Sequence, residues 1–203
     1  MDDLDKALRH FKRVDPVLYA AARKVRSHLH KRPALRGGDR LFRALAESIV
    51  SQQLSVKAAD TIWERVESVC GGKVTPESVL KAALPRLRKA GLSAAKAKTI
   101  KELAKAIQKG LNLPALRKAS PKEAEETLTA LWGIGPWTTE MFLIFALEHP
   151  DIFSPGDLGL VRSIETLYNV KNPSRARLEK MTACWSPYRS IACRILWKVR
   201  DTK

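Results

Sequence analysis

The chain has 203 residues, 45% hydrophobic and 29% charged, enough to bury a core in one domain or two closely packed small ones. Its formal net charge is +16, from 37 Lys and Arg against 21 Asp and Glu, and each of the stretches 1–35, 36–148 and 149–203 is net positive. A bias spread this evenly favours a folded nucleic-acid binder over a disordered basic arm, and three scattered cysteines (Cys70, Cys184, Cys193) exclude a disulfide framework and a Cys-based zinc or iron–sulfur site.

Residues 1–15 are charged throughout and lack the apolar core of a signal peptide. Asp15-Pro16 is a cap and first-turn pair, and the spacing of Val17, Leu18, Ala21, Val25 and Leu29 predicts a helix over 16–30. After a loop through Pro33–Gly38, Asp39 is expected to cap a helix from about Arg40, with Leu41, Phe42, Leu45 and Ile49 on its apolar side. Ser51–Leu54 breaks that pattern, Ser55 starts a second helix, and Gly71-Gly72 ends it. Thr75-Pro76 opens a short helix and Gly91 separates a basic segment from a helix over Ser93–Lys109. Ser120-Pro121-Lys122-Glu123 has the form of a capping box, and its helix is expected to reach about Leu131. A further helix is expected over Trp137–Leu147, and three more through Gly159–Tyr168, Ser174–Cys184 and Pro187–Val199. No run shows the period-two alternation of a strand, so the class is all-α. The longest apolar run, Met141–Leu147, is far too short to span a membrane, and an intracellular protein is expected, cytoplasmic in a bacterium and nuclear in a eukaryote.

The most telling segment is Leu131-Trp-Gly-Ile-Gly-Pro-Trp-Thr138. Gly133 and Gly135 permit a tight hairpin around Ile134, and Pro136 suits the first turn of the helix that follows. The amides near Gly133, Gly135, Trp137 and Thr138 would then face an anion, and a basic chain selects phosphate. The hairpin carbonyls can also hold a monovalent cation, although no side-chain cluster calls for a metal or other cofactor. The bland alternative is an ordinary helix–helix turn.

Asp157 lies 20 residues beyond Trp137, after Pro155-Gly156 and at the start of a helical pattern. It can serve as a helix cap, as a catalytic carboxylate, or as both, because capping directs the carboxylate rigidly. Asp151 reads as structural. Trp137, Trp197 and Tyr188 are aromatic candidates for a base pocket, with Met141 one turn beyond Trp137; core packing is the competing role for each. Trp132 reads as a packing wedge in the hairpin. Gln52, Gln53 and Leu54 interrupt a helix where a side chain can enter a duplex, or else form a buried helix end. Lys96, Lys98, Lys101 and Lys105 make a stripe for phosphates or merely a solvated face. His10, His28, His30 and His149 form no ligand set.

Together, Leu131–Thr138, Pro150-Asp151, Gly156-Asp157-Leu-Gly-Leu-Val-Arg162, Ile49-Val-Ser-Gln-Gln-Leu-Ser-Val56, Gly91-Leu-Ser-x-x-Lys96 and Trp185-Ser-Pro-Tyr-Arg-Ser190 resemble the helix–hairpin–helix DNA glycosylases. Within these, the resemblance is closest to the 3-methyladenine DNA glycosylase II branch. It implies two helical subdomains flanking a cleft, one from 36–148 and the other from 1–35 with 149–203. It places the catalytic aspartate on Asp157, the phosphate-binding hairpin on Leu131–Trp137, pocket aromatics on Trp137 and Trp197, and the inserted residue on Gln53 with Leu54 beside it. Relatives that cut the backbone carry Lys where this chain has Trp137, and a pocket Tyr of some members falls on Met141. The four-cysteine cluster and the N-terminal β-sheet domain of other members have no counterpart here. The implied activity is monofunctional excision of alkylated purines from duplex DNA by a monomer. The alternatives are a glycosylase for another lesion and a noncatalytic DNA-binding module.

Overall fold

The computed structural model describes residues 3–29, 35 and 37–202. It is 72% helical and, among the described residues, contains no strand. The chain separates into two compact units, one of Met1–Pro33 with His149–Lys203 and one of Ala34–Glu148.

Among its described residues the central unit runs through seven α-helices: α3 (Gly38–Ser51), α4 (Val56–Val69), α5 (Pro76–Lys81), α6 (Leu84–Lys89), α7 (Ala94–Gln108), α8 (Pro121–Thr129) and α9 (Pro136–Phe145). Local chemistry starts most of them. Ser55, Ser93 and Ser120 each accept a backbone N–H of their own first turn, and Thr75 and Ser120 form reciprocal capping boxes. Each such cap is worth about 1 kcal/mol. α3 packs against α4, α7 and α9, α5 against α7, and α8 against α9, burying Leu41, Phe42, Leu45, Ile49, Ile100 and Phe142. The expected cap at Asp39 is two residues late: α3 begins at Gly38, its cap is Gly37 at φ +92°, and Asp39 sits in the first turn. There its charge still opposes the helix dipole favourably.

The terminal unit holds α1 (Asp3–Val14), α2 (Pro16–Val25), α10 (Leu158–Tyr168), α11 (Arg175–Thr182) and α12 (Arg189–Asp201), with α12 packed on α2 and α10, and α1 on α2. No helix was expected before Pro16. One forms because Ala7, Leu8 and Phe11 share a buried stripe, while Asp3 and Asp5 open the helix and Lys12 and Arg13 close it. α2 ends at Val25 and tightens into a 3₁₀ turn over Arg26–His28, short of the expected boundary; His30 and, in the expected 33–38 loop, Pro33, Ala34 and Arg36 lie outside the described residues.

Asp15 ties this unit together. One carboxylate oxygen accepts the Leu18 N–H at 2.9 Å, and the other accepts the Tyr168 hydroxyl at 2.6 Å and the Trp185 indole N–H at 2.7 Å. Burial, then donation to Asp15, pushes the Tyr168 phenol far above its ordinary range, so it stays a donor. Among the described residues no helix is long and apolar enough to cross a membrane.

Candidate active site

In the central unit, the hairpin is shaped by a close approach of α7. Gly133 has φ +81°, and a Cβ there would overlap the Thr99 hydroxyl, so only glycine lets the hairpin rest on α7. Ile134, 4% exposed, is its buried anchor. Gly135 is extended and caps α9 without any side-chain acceptor, and Pro136 needs none. The first turn of α9 is thus a local source of positive potential with no side-chain anion built into its cap.

The turn after α3 is fastened to this hairpin. The Gln52 amide donates to Thr138 Oγ1 at 2.8 Å and to the Gly133 carbonyl at 3.3 Å. From α7, Lys96 Nζ donates to the Val50 and Gln52 carbonyls at 2.8 and 2.7 Å, closing the end of α3. Burial lowers the Lys96 pKa from its ordinary value, as expected for an ammonium drawn inward. Gln53 follows in the left-handed region at φ +57°, exposed, with Leu54 39% exposed beside it. Clamped on both sides, the turn presents Gln53 and Leu54 outward.

In the terminal unit, Asp157 caps α10. Its Oδ1 accepts the Leu160 N–H at 2.8 Å and the Trp197 indole N–H at 2.9 Å. Capping and direction are therefore one arrangement. Gly159 leaves room for it: a Cβ there would stand 3.0 Å from Asp157 Oδ1 and would overlap the Arg200 guanidinium. The loop that delivers Asp157 is pinned to the start of α12. Asp151 receives Arg189 Nε at 2.8 Å and Nη2 at 3.0 Å, and Ser186 Oγ at 2.8 Å. Desolvation opposes ionisation of Asp151, but the bonds from Arg189 and Ser186 outweigh it and hold its pKa below the ordinary value. The Ser190 hydroxyl accepts the Ile152 N–H at 2.9 Å. One helix, α12, thus fixes the Asp157 loop at its start and the Asp157 carboxylate through Trp197.

The remaining candidates fall as follows. Trp137 is half-buried on the first turn of α9, and Met141, one turn on, is 7% exposed. The Tyr188 ring packs against His10 and Phe11 of α1, with centroids 5.5 and 6.5 Å away. Lys101 Nζ donates to the Leu80 carbonyl at 3.1 Å, whereas Lys98 Nζ lies 4.2 Å above the Trp132 ring, whose residue is 47% exposed. Trp132 is thus at the surface and does not wedge a core. Gln52, read from the sequence as entering the duplex or forming a buried helix end, instead fastens the turn to the hairpin, and Thr99 and Gly159 are the site residues that sequence reasoning passed over. The only signal for them was proximity to residues already chosen. Among the described residues no cluster of His, Cys, Asp or Glu could hold a metal ion.

Residues 46–187 match the model of the HhH-GPD superfamily base excision DNA repair proteins, and the chain belongs to that superfamily. It is similar to DNA-3-methyladenine glycosylase 1 of Schizosaccharomyces pombe, 34% identical over 163 residues covering 77% of this chain and 71% of the relative. Among solved structures, an S. pombe 3-methyladenine DNA glycosylase in complex with abasic DNA matches with TM-score 0.82 and 32% identity, covering 95% of both chains. The Bacillus halodurans DNA-3-methyladenine glycosidase matches with TM-score 0.78 and 33% identity, covering 99% of this chain and 90% of that one.

Proposed function

We propose that the protein is a DNA glycosylase that hydrolyses the N-glycosidic bond of alkylated purines in duplex DNA and so initiates base excision repair. The observation that carries this reading is the Asp157 carboxylate, directed by its own helix and by Trp197. The hairpin amides, Gly133 to Thr138, bind a backbone phosphate, and Gln53 or Leu54 fills the gap left as the damaged nucleotide rotates out. Trp197, bonded to Asp157, stacks on the extruded base. A 3-methyladenine or 7-methylguanine base is cationic, and stacking on indole adds about 0.5–2 kcal/mol to apolar contact.

The alkylated base is already a good leaving group, so no strong general acid is required. As the C1′–N bond breaks, its electron pair leaves with the base and positive charge grows on the sugar. Asp157 stabilises that charge and accepts a proton from the water whose oxygen bonds to C1′. The products are free base and an abasic site. Trp137 stands where the resemblance puts the lysine of lyase relatives, which supports hydrolysis without strand cleavage. The enzyme acts inside the cell as a monomer on duplex DNA. Any cation at the hairpin would be held by neutral carbonyls; Leu131 and Gly133 already accept the Ile134 N–H and the Gln52 amide, which favours weak monovalent binding.

Methylated duplex DNA, incubated with the protein and resolved by chromatography and denaturing electrophoresis, tests the whole reading. Release of 3-methyladenine or 7-methylguanine with intact strands is expected. Release of a deaminated or mismatched base instead would move the assignment to another lesion, and binding without release would leave a noncatalytic module.

A further inference from the structure

The four lysines of the α7 stripe do not share one fate. Lys96 closes the end of α3, Lys101 donates to the Leu80 carbonyl, and Lys105 pairs with Glu102 at 2.9 Å. Lys98 is the one whose ammonium lies over an aromatic ring, 4.2 Å above the centre of Trp132. The next residue, Thr99, is the one whose hydroxyl occupies the space denied to a side chain at Gly133. Lys98 therefore emerges where α7 and the hairpin touch, and Trp132 is the residue immediately before Gly133.

We propose that Trp132 is a positioning residue for DNA binding. It holds the Lys98 ammonium beside the hairpin so that Lys98 and the hairpin amides grip the DNA backbone as one site. The proposal rests on the reading of the hairpin as a phosphate site. The choice of an indole is what makes the arrangement useful. A carboxylate in its place would orient the lysine but neutralise it and repel phosphate. An indole face orients the ammonium electrostatically, leaves its charge intact, and leaves N–H donors on the side away from the ring. The lysine stem in turn covers part of an indole that is 47% exposed, a costly residue to leave at a surface without such a cover. Holding the flexible side chain in place beforehand also removes part of the entropy lost on binding.

The test is binding of the full chain to a duplex carrying an abasic-site analogue, followed by fluorescence anisotropy across a salt series. Lys98→Ala is expected to weaken binding about 5- to 10-fold and to reduce the log–log salt slope by about 0.9, one phosphate contact. Trp132→Ala is expected to weaken binding about 3-fold, Trp132→Phe to restore most of that loss, and Trp132→Ala to add nothing once Lys98 is alanine. Equal losses from Trp132→Ala in both backgrounds would show direct contact between indole and DNA and overturn the pairing alone. So would single variants that bind like wild type. Salt-independent or absent binding by the wild type would overturn the hairpin reading as well.

Discussion

The Trp197 indole N–H and the Asp157 carboxylate, 40 residues apart in sequence, meet at 2.9 Å on the oxygen that also caps α10. The proposed function gives this tryptophan two uses, an edge that steers the carboxylate and a face that stacks on the base. Trp197→Phe separates them, since it keeps an aromatic face and removes the donor. A hydrogen bond to a charged group is worth about 1.5–3 kcal/mol, part of which is expressed in the transition state. The expected result is a roughly 10-fold fall in single-turnover excision rate with little change in DNA affinity.

Gln52 fastens the Gln53–Leu54 turn to the hairpin through Thr138 and Gly133. Gln52→Ala loses both bonds but neither of the exposed residues. It should lower excision on fully paired DNA by about 10-fold and much less on DNA with a mismatch at the lesion, where extrusion costs less. Rates on the two duplexes, measured side by side, check this.

Gly133→Ala adds a methyl that meets the Thr99 hydroxyl at a backbone angle of φ +81°. Steric strain and the left-handed backbone together predict a stability loss of about 2–4 kcal/mol in urea denaturation. Adding Thr99→Ala should recover the steric part only.

Much of the fold is legible because its signals are local. Ser55, Thr75, Ser93 and Ser120 cap helices through bonds to residues three positions away, so the pattern and the structure coincide. α1 was not legible, since its stripe is only Ala7, Leu8 and Phe11 in a charged segment. The site divides in the same way. Asp157 as a cap is readable from Leu160, but its bond to Trp197 is a tertiary fact. Lys96 shows the limit of periodicity: its backbone position belongs to the stripe, while its long side chain reaches back to α3. Asp15 was readable as a cap, whereas its bonds to Tyr168 and Trp185 span 153 and 170 residues.

The Asp151–Arg189 pair sets an acid limit. The folded-state pKa of Asp151 lies below its ordinary 3.8, so its stabilisation is fully present above that value and is lost as pH falls through the folded-state value. Denaturation midpoints followed from pH 6 to pH 2 should fall less steeply below pH 3.8 for Asp151→Asn than for wild type. At pH 6 the variant should be the less stable of the two, because Arg189 loses its carboxylate partner.

The central claim is that Asp157 performs the chemistry, and the single-turnover rate of 7-methylguanine release by Asp157→Asn tests it most directly, with duplex affinity measured on the same preparation. The substitution keeps the size of the side chain and an oxygen able to cap α10, but removes the charge that the proposed mechanism sets against the developing cation. A rate lower by about 10²–10³-fold with affinity within a few-fold of wild type is the expected result. An unchanged rate would show that another group carries the reaction.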